Sequence, residues 1–341
     1  MSLFVHLGQL ARSNQDGLQK LCCKSLQMKI LYAVASTGNG PVSRAVEVMP
    51  YLEKYGKVDL FLSGNNSQLL LPYPVAYRSQ GIRTLLGINP FRILKEAREL
   101  PVEKYDLVIN DSESITALAC RYKKVKSVSF GHRASFQSPL TPRPDKRDPV
   151  GEWILRHCGA ATRYIGLHFR SYDAFIHTPV IKRSLSQTDS IIDDHVTVYL
   201  PHYKTDRVVR QLKKLKSPFV LFSREVDRSF SYENIVLHPI DPHLFTLSMM
   251  RGYGVITGAG FETPAATLWL GKKLLCIPTR DQYEQLCNAT ALKSFRVPIL
   301  DSPEDLDHYF TGWRQGEIEH APLVITRSTE ELIEKVAHSF S

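Results

Sequence analysis

Residues 254–278 dictate a parallel β-α-β unit. A β-rich run at 254–257 enters the glycine turn of Gly258, Gly260 and Phe261, a helical pattern fills 263–270, and a second β run occupies 273–278 behind Gly271. Strands separated by a helix pair in parallel, and a parallel sheet persists only when helices cover both faces. The same alternation recurs along the chain. It gives strands at 29–35, 58–63, 106–110, 125–130, 164–167, 196–200, 219–222 and 235–238, with helices at 42–55, 114–122, 151–158, 205–215 and 242–251. A polar stretch at 178–190 without periodicity interrupts it. With 341 residues, the chain is long for one average domain and sufficient for two. The expected fold class is therefore α/β: two doubly wound, Rossmann-like domains facing each other across a cleft, with ligands at the carboxyl ends of the strands. The expected boundaries are an extension at 1–27, a first domain at 28–180 and a second at 190–328. The C-terminal segment, 329–341, has amphipathic spacing.

A glycine turn between strand and helix lets a ligand approach the backbone, and the first-turn N–H groups of the helix attract an anion, most often phosphate. Beyond the second strand, a polar loop delivers Glu284, Gln285 and Asn288, whose carboxylate and carboxamide groups suit sugar hydroxyls. The earlier loop Gly38-Asn39-Gly40-Pro41-Val42-Ser43-Arg44 also joins a strand to a helix. It lacks the third glycine and the ribose-binding acid of a dinucleotide fingerprint, so an NAD site is not expected.

This order of residues resembles the donor-binding half of GT-B glycosyltransferases, in particular the branch that includes the bacterial peptidoglycan N-acetylglucosaminyltransferase. Gly260, Phe261, Thr263, Gly271, Lys272, Leu275, Pro278, Glu284, Gln285, Asn288 and Ala289 match that pattern. Two positions depart from it. Ala266 stands where relatives carry the acid that grips the ribose, and Pro41 stands where many carry a histidine, although Arg44 remains. The resemblance implies a hexosyltransferase-like enzyme that uses a nucleoside-diphosphate sugar, most often a UDP-sugar, with an acceptor-binding domain at 28–180, a donor-binding domain at 190–328 and a C-terminal helix, 329–341, that crosses back to the first domain. It also implies a donor site containing Gly258, Gly260, Phe261, Thr263, Glu284, Gln285 and Asn288, a nucleobase packed near Pro239 and Ile240, and a phosphate or acceptor loop of Gly38, Asn39, Gly40 and Arg44.

Displacement at an anomeric carbon needs a base for the acceptor and stabilisation for the departing phosphates. Asp111 is the first choice of base, His132 the second and Glu113 the third, because all three follow N-domain strands. Asp111 could instead cap the following helix, and His132 could be a hydrogen-bonded loop residue. Arg224 is a candidate phosphate cation or an ion-pair partner of Glu225 or Asp227. No metal and no cofactor are expected, since a helix N-terminus and a cation supply the charge. The triplet Asp305-Leu306-Asp307 reads as a solvated helix face. Two other readings fit the same fold: a sugar-nucleotide 2-epimerase, which would need acid/base groups on both faces of the sugar, and a non-catalytic nucleotide or sugar binder.

Composition sets the remaining bounds. Hydrophobic residues make up 43% and charged residues 23%, and no apolar run approaches the length of a membrane span. The N-terminus lacks an uninterrupted apolar region behind basic residues, so a cytoplasmic protein is expected. Six cysteines without a C-x-x-C pair imply neither a zinc site nor a disulfide framework. The net charge of +9 concentrates partly at Arg78, Arg83, Arg92, Lys95 and Arg98, interleaved with Leu85, Leu86, Ile88, Phe91, Ile93 and Leu94. That mixture reads as a solvated face or as a contact for an anionic membrane surface or a lipid-linked acceptor. No nucleic-acid motif accompanies the charge, so the expected partners are a nucleotide sugar and a sugar, lipid-linked or small-molecule acceptor.

Overall fold

The computed structural model describes residues 28–36, 38–64, 67, 69, 71–81, 89–186 and 193–340. The extension at 1–27, the cluster residues Arg83, Leu85, Leu86 and Ile88, and part of the polar stretch at 178–190 lie outside the described residues.

The first sheet comprises β1 (Met28–Ala35), β2 (Gly56–Ser63), β3 (Val75–Ser79), β4 (Leu107–Asp111), β5 (Val128–Gly131), β6 (Arg163–Leu167) and β7 (Ile176–His177). They are arranged β3-β2-β1-β4-β5-β6-β7 with every pairing parallel. Helices α1 (Asn39–Leu52), α2 (Pro90–Glu99), α3 (Ser114–Lys123) and α4 (Pro149–His157) belong to this half. Buried Ile30, Tyr32 and Val34 of β1 share one cluster with Val42, Ala45 and Val48 of α1, while the alternate residues Leu31 and Ala33 pack with Ile93 and Ile115 of α2 and α3. That alternation explains the continuous apolar reading of β1, which is covered on both faces.

A short helix, α5 (Arg183–Ser186), lies in the passage to the second half. That half contains β8 (Val196–Tyr199), α6 (Thr205–Leu212), β9 (Phe219–Ser223), β10 (Phe230–Tyr232), β11 (Ile235–Pro239), α7 (Pro242–Arg251), β12 (Gly254–Thr257), α8 (Glu262–Trp269), β13 (Lys273–Cys276), α9 (Tyr283–Lys293) and α10 (Leu306–Gln315). Its sheet runs β10-β11-β9-β8-β12-β13, parallel except for the edge pair β10 and β11. The final helix, α11 (Thr329–Ala337), returns to pack on α1, and Leu332, Ile333 and Val336 join the core of the first half. A reciprocal cap between Ser328 and Glu331 fixes its start.

Several element boundaries differ from the sequence reading for identifiable reasons. The expected strand at 125–130 begins only at Val128, because Lys124 adopts a left-handed conformation that ends α3. The helix expected from 42 begins at Asn39, with Pro41 accommodated in its first turn. Helix α2 and edge strands β3 and β10 were not expected.

Strand order places the ligand crevice. In the first sheet the order reverses between β1 and β4, and in the second between β8 and β12. Loops at such a point diverge to opposite faces and leave a crevice at the strand ends.

Candidate active site

The two crevices face each other and bound a cleft of about 680 Å³. Gly38, Asn39, Gly40 and Arg44 after β1 and Ser112 after β4 line one side. Tyr199, Pro201 and His202 near the end of β8, with Thr257, Gly258, Gly260, Phe261, Glu262 and Thr263 after β12, line the other. Ser112 has φ 63, a left-handed turn directly behind Asp111. An asparagine-to-tyrosine contact crosses the cleft, where Asn39 Nδ2 donates to Tyr199 Oη at 3.3 Å.

Beneath this cleft lies a buried chain of ionisable groups. Arg44 donates from Nε to Asp111 Oδ2 at 2.8 Å and from Nη2 to Asp111 Oδ1 at 2.9 Å, and its third nitrogen, Nη1, bonds Glu262 of the opposite half. Tyr32 Oη points at Asp111 Oδ2 from 3.5 Å. Gly131, at φ 137, makes room for the pair: a Cβ there would lie 2.6 Å from Asp111 Oδ1. Burial opposes the Arg44 charge, but Asp111 and Glu262 outweigh it and raise its pKa. Burial and Asp111 together push the Tyr32 hydroxyl well up.

These contacts correct all three expected bases. Asp111 is 0% exposed and fully engaged by Arg44, so it orients that guanidinium and does not reach an acceptor. Glu113 is the N-cap of α3; its carboxylate accepts the N–H groups of Ile115 and Thr116 at 2.9 and 2.5 Å. His132 borders the cleft but is 4% exposed, with Nδ1 3.0 Å from Leu167 O and Nε2 2.9 Å from Asn288 Oδ1. Its ring stacks on Phe261, with centroids 4.1 Å apart. Burial pushes its pKa down against the pull of Glu284. Arg44 is likewise committed to two carboxylates and is not available as a phosphate clamp.

Glu262 is the carboxylate that sequence reasoning missed. It is the first residue of α8, its side chain is 26% exposed, and only one of its oxygens is bonded to Arg44. Burial raises its pKa, while Arg44 pulls the other way and Asp111 adds to the rise. The only local hint was its place inside the glycine turn.

The start of α8 fits an anion. No side chain caps the helix, Pro264 has no N–H, and Ala265 N already bonds Phe261 O at 3.1 Å, leaving the N–H groups of Glu262 and Thr263 as first-turn donors. A Cβ on Gly260 would meet nothing within 4 Å, so the backbone there is open to a ligand. Of the expected sugar-binding loop, Glu284 lines the cleft and pairs with Arg133 Nε at 3.1 Å. Gln285 packs over Gly258 and accepts the Thr279 N–H at 3.1 Å. Asn288 is fully buried; it donates to Ala259 O at 3.1 Å and faces His132, so it fastens the two halves and cannot meet a sugar. Ile240 lines the cleft beside Phe222 and Phe245, whereas Pro239 does not. Arg224 lines it too, exposed and without an ion pair among the described residues; Glu225 instead accepts the Thr205 N–H at 2.8 Å.

Comparison with known proteins adds to this geometry. A family model described as Glycosyl transferase family 1 matches residues 92–311, more than half of the chain. The chain belongs to glycosyl transferase family 1. No curated protein sequence matches this glycosyltransferase. Solved structures resemble it closely in fold and distantly in sequence. LpCGTa in complex with UDP superposes with a TM-score of 0.63 at 11% identity, covering 92% of this chain and 99% of the other. Arabidopsis thaliana UGT89C1 complexed with UDP gives 0.60 at 13%, with the same coverage. MurG of Acinetobacter baumannii gives 0.53 at 18%, covering 90% of this glycosyltransferase and 99% of MurG. The fold is GT-B, with two Rossmann-like domains about a cleft and a C-terminal helix that crosses back.

Proposed function

We propose that this glycosyltransferase moves a sugar from a nucleoside-diphosphate donor, UDP being the nucleotide, to an acceptor hydroxyl, with Glu262 as the base. The carrying observation is the uncapped start of α8, where two free N–H groups and a carboxylate with an uncommitted oxygen stand together in the cleft. The diphosphate would lie on the N–H groups of Glu262 and Thr263, with Arg224 nearer the nucleoside and Ile240 against the base. The acceptor oxygen attacks the anomeric carbon as its proton passes to Glu262. Arg44, fixed by Asp111, holds that carboxylate in place. Glu284 would receive a sugar hydroxyl, whereas Gln285, whose Oε1 accepts from Thr279 N and whose Nε2 donates to Gln282 Oε1 at 2.6 Å, would hold the loop in place. The scheme requires no metal or cofactor, because the helix N-terminus and cations supply the positive charge. UDP is favoured because two of the structural relatives carry it.

For the acceptor we favour a lipid-linked sugar presented at the inner membrane surface of the cytoplasm, as in cell-envelope polysaccharide or glycolipid synthesis. No helix among the described residues is long and apolar enough to cross a membrane. The outer face of α4 supports surface contact: Val150 and Trp153 are 51% and 55% exposed, exposed Lys146, Arg147 and Arg156 flank them, and Val150 borders the cleft. The basic cluster near α2 supports it less. Phe91 is 84% exposed, but Arg92 pairs with Glu96, Lys95 lies 3.8 Å from Glu99 and Arg98 covers Tyr122.

The test is titration of UDP, GDP and dTDP against the protein and its Gly260→Val variant. Because a Cβ at 260 meets nothing within 4 Å, the variant should fold and lose diphosphate binding. Unchanged affinity would remove the phosphate from α8.

A further inference from the structure

A cation in the cleft has no role in the scheme above. Lys182 lies between β7 and α5, in the passage from one half to the other, and its half-buried side chain lines the cleft. Among the described residues its ammonium makes no hydrogen bond and no ion pair. The two carboxylates close enough to act on it, Glu262 and Glu47, have other partners. Glu262 is bonded to Arg44, and Glu47 accepts the Arg183 N–H at 3.2 Å with Arg183 Nε 3.5 Å away. Burial accordingly lowers the Lys182 pKa. An ammonium that has lost part of its hydration without gaining a partner is costly unless a ligand supplies one.

The position of Glu262 indicates what that ligand must be. A diphosphate arriving at the N-terminus of α8 meets the Glu262 carboxylate as well as the helix N–H groups, and like charges repel. Arg44 already divides its charge between Asp111 and Glu262. Lys182 is the cation near Glu262 with no such division.

We propose that Lys182 binds the β-phosphate of the donor and takes up the charge that develops there, an inference that rests on the nucleotide-sugar reading. The acceptor oxygen forms the new bond to the anomeric carbon and its proton goes to Glu262. The bond between that carbon and the β-phosphate oxygen breaks, its electron pair stays on the phosphate, and Lys182 donates a hydrogen bond to the departing diphosphate. Since Lys182 belongs to the passage between the sheets, the cation and the helix that share the phosphate come from separate parts of the chain.

Calorimetric titration with UDP and with uridine, on wild type, Lys182→Met and Lys182→Arg, tests this. Methionine keeps the length of the side chain and removes its charge. The expected result is a loss of UDP affinity of about 10- to 100-fold in Lys182→Met, unchanged uridine affinity, and recovery of most of the UDP affinity in Lys182→Arg. Equal UDP affinity in wild type and Lys182→Met overturns the proposal, including the case where only the acceptor KM rises, which would assign Lys182 to an anionic acceptor. Parallel losses for UDP and uridine also overturn it, because they report a structural defect. A wild-type protein that binds none of UDP, GDP and dTDP defeats the nucleotide-sugar reading itself, an outcome separable from the behaviour of the variants.

Discussion

Arg44 uses one oxygen of Glu262 and leaves the other to the cleft. This half-commitment is what fits the residue for proton transfer, since the carboxylate is held in place and still has a lone pair to offer. Burial lifts its pKa above the ordinary glutamate value of 4.5. Activity that needs the ionised form should therefore fall away, as pH drops, through a midpoint higher than 4.5. Glu262→Gln should lower turnover by about 10²- to 10⁴-fold, bind UDP more tightly than wild type because the repelling carboxylate is gone, and abolish that acidic limb in the kcat/KM profile. If the limb persists in the variant, it belongs to another group. Nothing adjacent in sequence distinguishes Glu262 from Asp111 or Glu113, because its partner Arg44 lies 218 positions away. The glycine turn around it was legible; its pairing with Arg44 was not.

At the scale of elements, the two halves meet along α4 and α9. Gly151 faces Tyr283 so closely that a Cβ would lie 2.6 Å from the Tyr283 Cβ, and Tyr283 Oη donates to Glu152 Oε1 at 2.8 Å. Arg143 Nε reaches the same oxygen at 2.6 Å. Gly151→Ala should force the helices apart and cost about 1–3 kcal/mol, measured by urea unfolding. Stability equal to wild type would mean that the contact yields without strain. The helices were largely visible in the sequence because their starts carry chemical marks. Asp241 before Pro242 caps α7 at Leu244 N, and that helix was read with its observed limits. Asn89 before Pro90 marks α2 in the same way, accepting the Arg92 N–H at 3.1 Å, but its basic residues drew attention to charge and hid the helix. Gly151 gave no sign of its partner, since a glycine near a helix start is locally unremarkable and its necessity arises only from Tyr283.

For the whole molecule, pH stability follows from the buried histidines. Burial lowers the pKa of His132, His168 and the half-buried His195, and that of His177 to about 4. Unfolding returns each to its ordinary value of 6.5. Between these limits the unfolded chain binds more protons, so stability is fully present above 6.5 and declines as pH falls toward 4. Glu113 and Glu262, whose folded pKa values are raised, act in the opposite sense but are fewer. Below 4.5, carboxylates held down by neighbouring cations, such as Glu304 at about 2, add to the decline. Calorimetry should show Tm lower by on the order of 5 °C at pH 5 than at pH 7.5. A constant or rising Tm would contradict the burial of these rings.

The sequence by itself determined the alternation of strands and helices, the parallel sheets that follow from it and the glycine turn at Gly258 to Thr263, because each rests on residues close together in the chain. Tertiary structure decided which polar groups remain available. It buried Asp111 against Arg44, spent Glu113 on a helix cap, locked His132 between Leu167 and Asn288, and left Glu262 and Lys182 facing the cleft. Local sequence specifies the backbone path, but the availability of a carboxylate or an amine depends on whether a partner from a distant segment has already satisfied it.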